Sequence, residues 1–170
     1  MKTAVAALVF CIALANPVLA QTAPAAATAP QLAITGWRVE CDSQGTALNC
    51  RVTDQVTQTG TGGLIGAFSV ALAPDTKKPV LTLQLPLGLA VSDPVTLSAD
   101  GASQSYSLIT CDRQGCFARA PIDDALLVKM RGDKQQLHVS YNIINANLAK
   151  QTVTLALGLD GFDAALTKIK

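Results

Sequence analysis

Leu137-His138-Val139-Ser140-Tyr141-Asn142-Ile143 decides the fold. Every odd position is apolar and every even position polar, the period of two expected of a β-strand with one face in a core and one in water. Working outward, short runs rich in Val, Leu, Ile and Thr recur at 36–41, 48–53, 65–72, 80–85, 95–99, 104–111, 116–120, 136–144 and 151–157, with Gly, Pro, Asp and Ser between them. This pattern predicts an all-β, antiparallel sandwich or barrel-like domain. Two segments follow helical rules instead. Residues 121–131 (PIDDALLVKMR) carry Pro and acids in the first turn, bases in the last and Gly132 just beyond, predicting one short internal helix. Residues 160–169 predict a short C-terminal helix, with Asp160 as N-cap and Phe162, Leu166 and Ile169 on one buried stripe.

Of the 170 residues, 49% are hydrophobic and 15% charged, with 13 basic and 12 acidic side chains. That length fits one domain, and the composition excludes disordered and collagen-like classes. The longest basic run is Lys77-Lys78, so no electrostatic footprint for nucleic acid is present. The N-terminus reads as an address: Met1-Lys2, an apolar run from Thr3 to Ala15, then Val18-Leu19-Ala20 before Gln21. This predicts a signal peptide over residues 1–20, cleaved after Ala20, and hence a periplasmic or secreted, cell-surface protein. The apolar run stops at Asn16-Pro17, short of the roughly twenty residues that span a bilayer, so no membrane span is expected after cleavage. Residues 21–33 are dominated by Ala, Thr and Pro and predict a flexible leader, with the folded domain at 34–170.

Cleavage would remove Cys11 and leave Cys41, Cys50, Cys111 and Cys116, an even number in an exported chain. Cys41 continues the alternation of Trp37 and Val39, as Cys50 continues that of Leu48 and Val52, which predicts a hairpin with inward cysteines. Cys111 and Cys116 flank a four-residue polar loop ending in Gly115. Pairing is therefore expected as Cys41 with Cys50 and Cys111 with Cys116, each worth about 2–3 kcal/mol by loop-entropy arguments. The spacings suit neither a thioredoxin-type redox pair nor a zinc site, so no metal or cofactor is predicted.

Catalytic signals are sparse. His138, the only histidine, lies on the polar phase of its strand beside Ser140; a hydrolase using His138 is the enzymatic alternative, and a surface histidine is the preferred reading. No G-x-S-x-G elbow accompanies the pair, and Asp133 lies across an expected turn. Asp123-Asp124 are adjacent, so on a helix they diverge by about 100° and suit the helix dipole better than an acid/base dyad. The glycines from Gly60 to Gly66 lack the Lys-Ser/Thr ending of a phosphate loop and read as turn residues. Leu85-Pro86-Leu87-Gly88-Leu89 stays apolar through Pro and Gly, where a chain normally turns in water. Either this loop plugs one end of the core, the preferred reading, or it is an interaction surface.

Trp37-Arg38-Val39-Glu40-Cys41-Asp42, Cys50, Leu85-Pro86-Leu87-Gly88, Cys111 with Gly115-Cys116, and the stretch Gly158-Leu159-Asp160-Gly161-Phe162-Asp163-Ala164-Ala165-Leu166 occur in that order. The ordered set resembles the invasion-associated locus B family of bacterial envelope proteins over essentially the whole domain. The resemblance implies a small exported protein without a catalytic motif, associated in some members with host-cell entry, and it supports the four cysteines as a structural set. The expected function is therefore non-catalytic binding of envelope or host proteins, serving host-cell invasion or envelope integrity. A periplasmic scaffold or chaperone-like module presenting the 85–89 loop is the other binding alternative.

Overall fold

The computed structural model describes residues 31–45, 47–132 and 134–169. These form strands β1 (Leu32–Ile34), β2 (Arg38–Gln44), β3 (Ala47–Gln58), β4 (Leu64–Leu72), β5 (Pro79–Leu85), β6 (Val95–Ala99), β7 (Ala102–Tyr106), β8 (Leu108–Asp112), β9 (Gly115–Pro121), β10 (Gln136–Ile144) and β11 (Lys150–Gly158). Helix α1 (Asp124–Met130) precedes β10 and α2 (Phe162–Lys168) follows β11. All pairings are antiparallel, in a seven-stranded sheet ordered β1-β3-β4-β5-β9-β8, with β2 also on β3, and a four-stranded sheet ordered β11-β10-β6-β7. The sheets pack face to face as a sandwich; they do not close into a barrel. Val52, Val56, Phe68, Val70, Leu81 and Leu83 of the larger sheet meet Val95, Leu97, Leu137, Val139, Leu155 and Leu157 of the smaller in one core cluster. The expected signal peptide and leader residues 21–30 lie outside the described residues. Pairing begins at Leu32, slightly ahead of the expected domain start at 34, because β1 bonds to the far end of β3.

Three details differ from the sequence reading. The run at 104–111 is two strands, not one: β7 belongs to the smaller sheet and β8 to the larger, with Ser107 at the corner. Alternation persists through Ser107, since Tyr106 is buried, Ser107 exposed and Leu108 half-buried, so periodicity cannot register a change of sheet. Helix α1 starts at Asp124, and Pro121 is the last residue of β9, paired with Val80. Its entry is fixed by Gln104, whose Oε1 accepts the Asp123 N–H at 2.8 Å and the Tyr106 hydroxyl at 2.9 Å. Asp160 does not cap α2; Gly161 does, at φ +80, a conformation that favours glycine. Phe162 and Leu166 are buried as expected, with Ala165 joining them and Ile169 only half-buried.

Each hairpin beside a terminus of the larger sheet carries a disulfide. Cys41 bonds Cys50 and Cys111 bonds Cys116, with Cα separations of 4.0 and 3.9 Å. Both pairs stand directly opposite in register, close to the spacing of a non-hydrogen-bonded pair in an antiparallel ladder. The cysteines of the first bridge hold the inward phase, yet Cys41 is exposed, because the β2–β3 hairpin runs past the end of the core and leaves Leu48 exposed with it.

Gly115 is required by space as well as by conformation. It sits at φ +143, and a Cβ there would lie 2.3 Å from the backbone oxygen of Leu85. Gly60, at φ +91 in the β3–β4 turn, has nothing within 4 Å of such an atom. We expect Gly60→Ala to cost about 1 kcal/mol, from backbone conformation alone, and Gly115→Ala to cost more than about 2 kcal/mol, measured by urea unfolding.

Candidate functional site

An open apolar groove of about 360 Å³ lies where the two sheets gape along one side of the sandwich. Leu32 of β1 and Ile65 of β4 form its floor; Tyr141, Ile143 and Ile144 of β10 and Val153, Thr154 and Leu155 of β11 form its wall; Pro86, Leu87 and Gly88 form its lip. The loop singled out in the sequence divides its residues between the core and the groove. Leu85 and Leu89 are buried and plug the core, while Leu87 is 57% exposed at the groove. Gly88, at φ +90, turns the chain so that Leu89 bridges Ile143, with Ala90 N–H donating to Asn142 O and Ile144 N–H to Gly88 O, both at 2.8 Å.

The groove is lined almost wholly by apolar groups, with polar side chains at its rim. Tyr141 is almost fully buried, its hydroxyl directed at Ile65 O 3.4 Å away, and burial pushes its pKa up to about 12. Asp93 ties the chain after the loop to the wall: its carboxylate accepts from Lys150 Nζ at 2.9 Å and Asn142 Nδ2 at 2.9 Å. Lys150, then Asn142 and Ser92, hold that carboxyl below the usual range. Because its folded-state pKa is depressed, this tether contributes at neutral pH and is lost as pH falls through the folded value. Exposed Leu32, Ile34, Val91 and Leu148 add to the apolar character of this side of the molecule.

The other residues weighed as chemistry stay apart. His138 is exposed on the outer face of β10, and Ser140 Oγ lies 3.0 Å from Thr154 Oγ1, not against the imidazole. Asp133 lies outside the described residues. Asp123 precedes α1 and Asp124 occupies its first turn. Gly60 and Gly62 have positive φ in the turn before β4. Among the described residues, no group of three or more His, Cys, Asp or Glu gathers as a metal cluster would.

One buried group went unnoticed in the sequence. Asp54 takes the inward phase of β3 between Val52 and Val56 and is fully buried. Its Oδ1 accepts from Thr35 Oγ1 at 3.0 Å and from the Gln55 N–H at 2.7 Å, while Arg38 Nη1 donates to the same Thr35 hydroxyl at 2.7 Å. This carboxylate pins the β1–β2 connection to β3. Its Oδ2 has no hydrogen-bond partner among the described residues. Burial raises its pKa, against the hydrogen bonds from Gln55 and Thr35. The signal was legible in Val52-Thr53-Asp54-Gln55-Val56, where an acid stands in an apolar phase.

Together these features define a disulfide-braced, two-sheet antiparallel domain with an open apolar groove on one side. The chain belongs to the invasion-associated locus B family: the family model, described as "Invasion associated locus B (IalB) protein", matches residues 37–170. Among solved structures, the chain is similar to the crystal structure of invasion associated protein B from Bartonella henselae. That likeness has a TM-score of 0.65 and 26% identity and covers 78% of this chain and 89% of that one. A comparison with curated proteins finds no match. Two disulfides fit a protein that matures outside the cytoplasm, and no helix among the described residues is long and apolar enough to cross a membrane.

A raised carboxyl pKa means that the folded state binds the proton more tightly. Stability contributed by Asp54 therefore rises as pH falls through its folded value and is complete below the unfolded one. Asp54→Asn keeps an acceptor for Thr35 and removes the buried charge. Urea unfolding at neutral pH is expected to show the variant at least as stable as wild type, and its advantage should shrink on acidification; an advantage that grows on acidification would contradict the buried-charge account.

Proposed function

We propose that the protein is an exported component of the bacterial envelope that acts without catalysis, by binding another protein through the groove under the 85–89 loop. The observation that carries this reading is the groove itself: a preformed apolar surface, backed by the buried Tyr141 and Leu155, with Leu87 standing at its edge. The two disulfides and the signal-like residues 1–20 support export to the periplasm or the cell surface. Family membership supports an envelope role, and the name of the Bartonella relative links that protein to invasion; host-cell entry and envelope integrity are the two roles through which binding would act here. The same groove would serve a scaffold or chaperone-like module, with the client seated against Leu87. For the hydrolase alternative, the exposed His138 and the Ser140–Thr154 hydroxyl contact offer no assembled nucleophile and base.

A photo-crosslinking residue at Leu87 in intact cells tests the reading, with the same residue at His138 as control. A discrete adduct with a different protein is expected at 87 and not at 138, and Leu87→Asp should lower recovery of that protein by about tenfold or more. Undiminished recovery with Leu87→Asp, or adducts of the chain with itself alone, would contradict it.

A further inference from the structure

The smaller sheet ends at β7, which is five residues long and packs against α1, and at β11, whose edge is built differently from the rest. β2 carries Arg38, Glu40 and Asp42; β8 is short and its register shifts between Leu108 and Thr110; β1 has three residues. Charges, bulges and brevity are the usual devices that stop an edge from pairing with another chain. β11 is nine residues long, keeps unbroken register with β10 and has no proline; residues 151–158 hold no charge.

Backbone direction shows which groups are free. Asn142 O and Ile144 N–H bond to the loop on the far side of β10, so even residues of β10 turn their backbone groups away from β11 and odd residues turn toward it. Register pairs odd residues of β10 with odd residues of β11. Thr152, Thr154 and Ala156 therefore point their N–H and C=O groups out of the sheet. Gly158, of the same parity, confirms the direction: its carbonyl accepts from Trp37 Nε1 at 2.9 Å. Beyond that contact, no partner among the described residues meets the outward groups of 152, 154 and 156.

We propose that a second copy of this chain pairs with β11 along this edge, antiparallel, about a twofold axis at Thr154. Thr154 then faces its symmetry mate and Thr152 faces Ala156 of the other copy, so the outward groups of each strand find partners. The central contact opposes no like charges, because 151–158 is neutral. The ladder ends at Thr152 opposite Ala156, because the next outward carbonyl, that of Gly158, is already taken by Trp37 Nε1. Lys150 of each copy keeps its ion pair with its own Asp93, so no like charges meet at the ends either. The added strand also extends the smaller sheet toward Leu32 and Ile34, inner-face residues of β1 that are 45% and 46% exposed in a single chain. Thr154 and Leu32 also line the groove, so the self-pairing edge adjoins the surface proposed for another protein; Thr154→Lys reports on the first and Leu87→Asp on the second.

Sedimentation equilibrium on the oxidised protein tests it, with Thr154→Pro and Thr154→Lys. The Thr154 N–H points outward, so proline there spares the bonds to β10 but removes one from each side of the dimer contact. Lysine places two ammoniums face to face across the axis. Wild type is expected to dimerise, and each variant to weaken dimerisation by roughly tenfold or more while its circular dichroism is unchanged. If Thr154→Pro does not fold, Thr154→Lys, exposed on the outer face, carries the test. A wild type monomeric into the millimolar range, or dimers insensitive to Thr154→Lys, would overturn the proposal.

Discussion

The contact on which the rest depends is the half-buried indole of Trp37. Its N–H caps the Gly158 carbonyl, and its ring meets Phe162 edge to face, with centroids 4.8 Å apart. One side chain thereby joins the start of β2, the end of β11 and the first turn of α2, three elements from the two ends of the domain. An edge-to-face aromatic pair and a hydrogen bond to the outward Gly158 carbonyl each contribute on the order of 1 kcal/mol, but their geometric effect is larger. They fix where the smaller sheet sits over the larger one.

Placement matters because four strands cannot cover seven. The uncovered part of the larger sheet must be met by something else or stay open. At the β2–β3 end α2 supplies Phe162, Ala165 and Leu166. At one end of β5 the loop supplies Leu85 and Leu89. On the β1 side nothing among the described residues supplies a cover, so Leu32, Ile34 and the wall formed by β10 and β11 remain accessible. The groove and the free edge of β11 are thus two aspects of one mismatch in sheet size, and a seal at Trp37 that ends at Gly158.

The sandwich was readable because alternation reports which residues face inward, and 136–144 and 95–99 coincide with β10 and β6 residue for residue. The cysteine pairs were readable because spacing and phase put both partners of each on one hairpin. Other features were not. Alternation does not say which sheet a strand joins, which hid the corner at Ser107. It marks Val153 and Leu155 as inward without saying that the facing sheet stops short, which hid most of the groove. Leu87 was visible because an apolar residue in a Pro-Gly turn is anomalous on its own terms, and the adjacent Ile143-Ile144 at the end of a strictly alternating strand is a similar anomaly. Apolar alternation does not report Asp54, because an acid between Val52 and Val56 interrupts that pattern and does not extend it.

Residue-resolved hydrogen exchange, at a dilution where the chain is monomeric, tests most directly the claim of a domain sealed at one corner and open beside it. The account predicts a slowly exchanging Trp37 indole N–H, slow amides at Val153, Leu155 and Leu157, and fast amides at Thr152, Thr154 and Ala156. A freely exchanging indole, or even-numbered amides of β11 as protected as their neighbours, would contradict it.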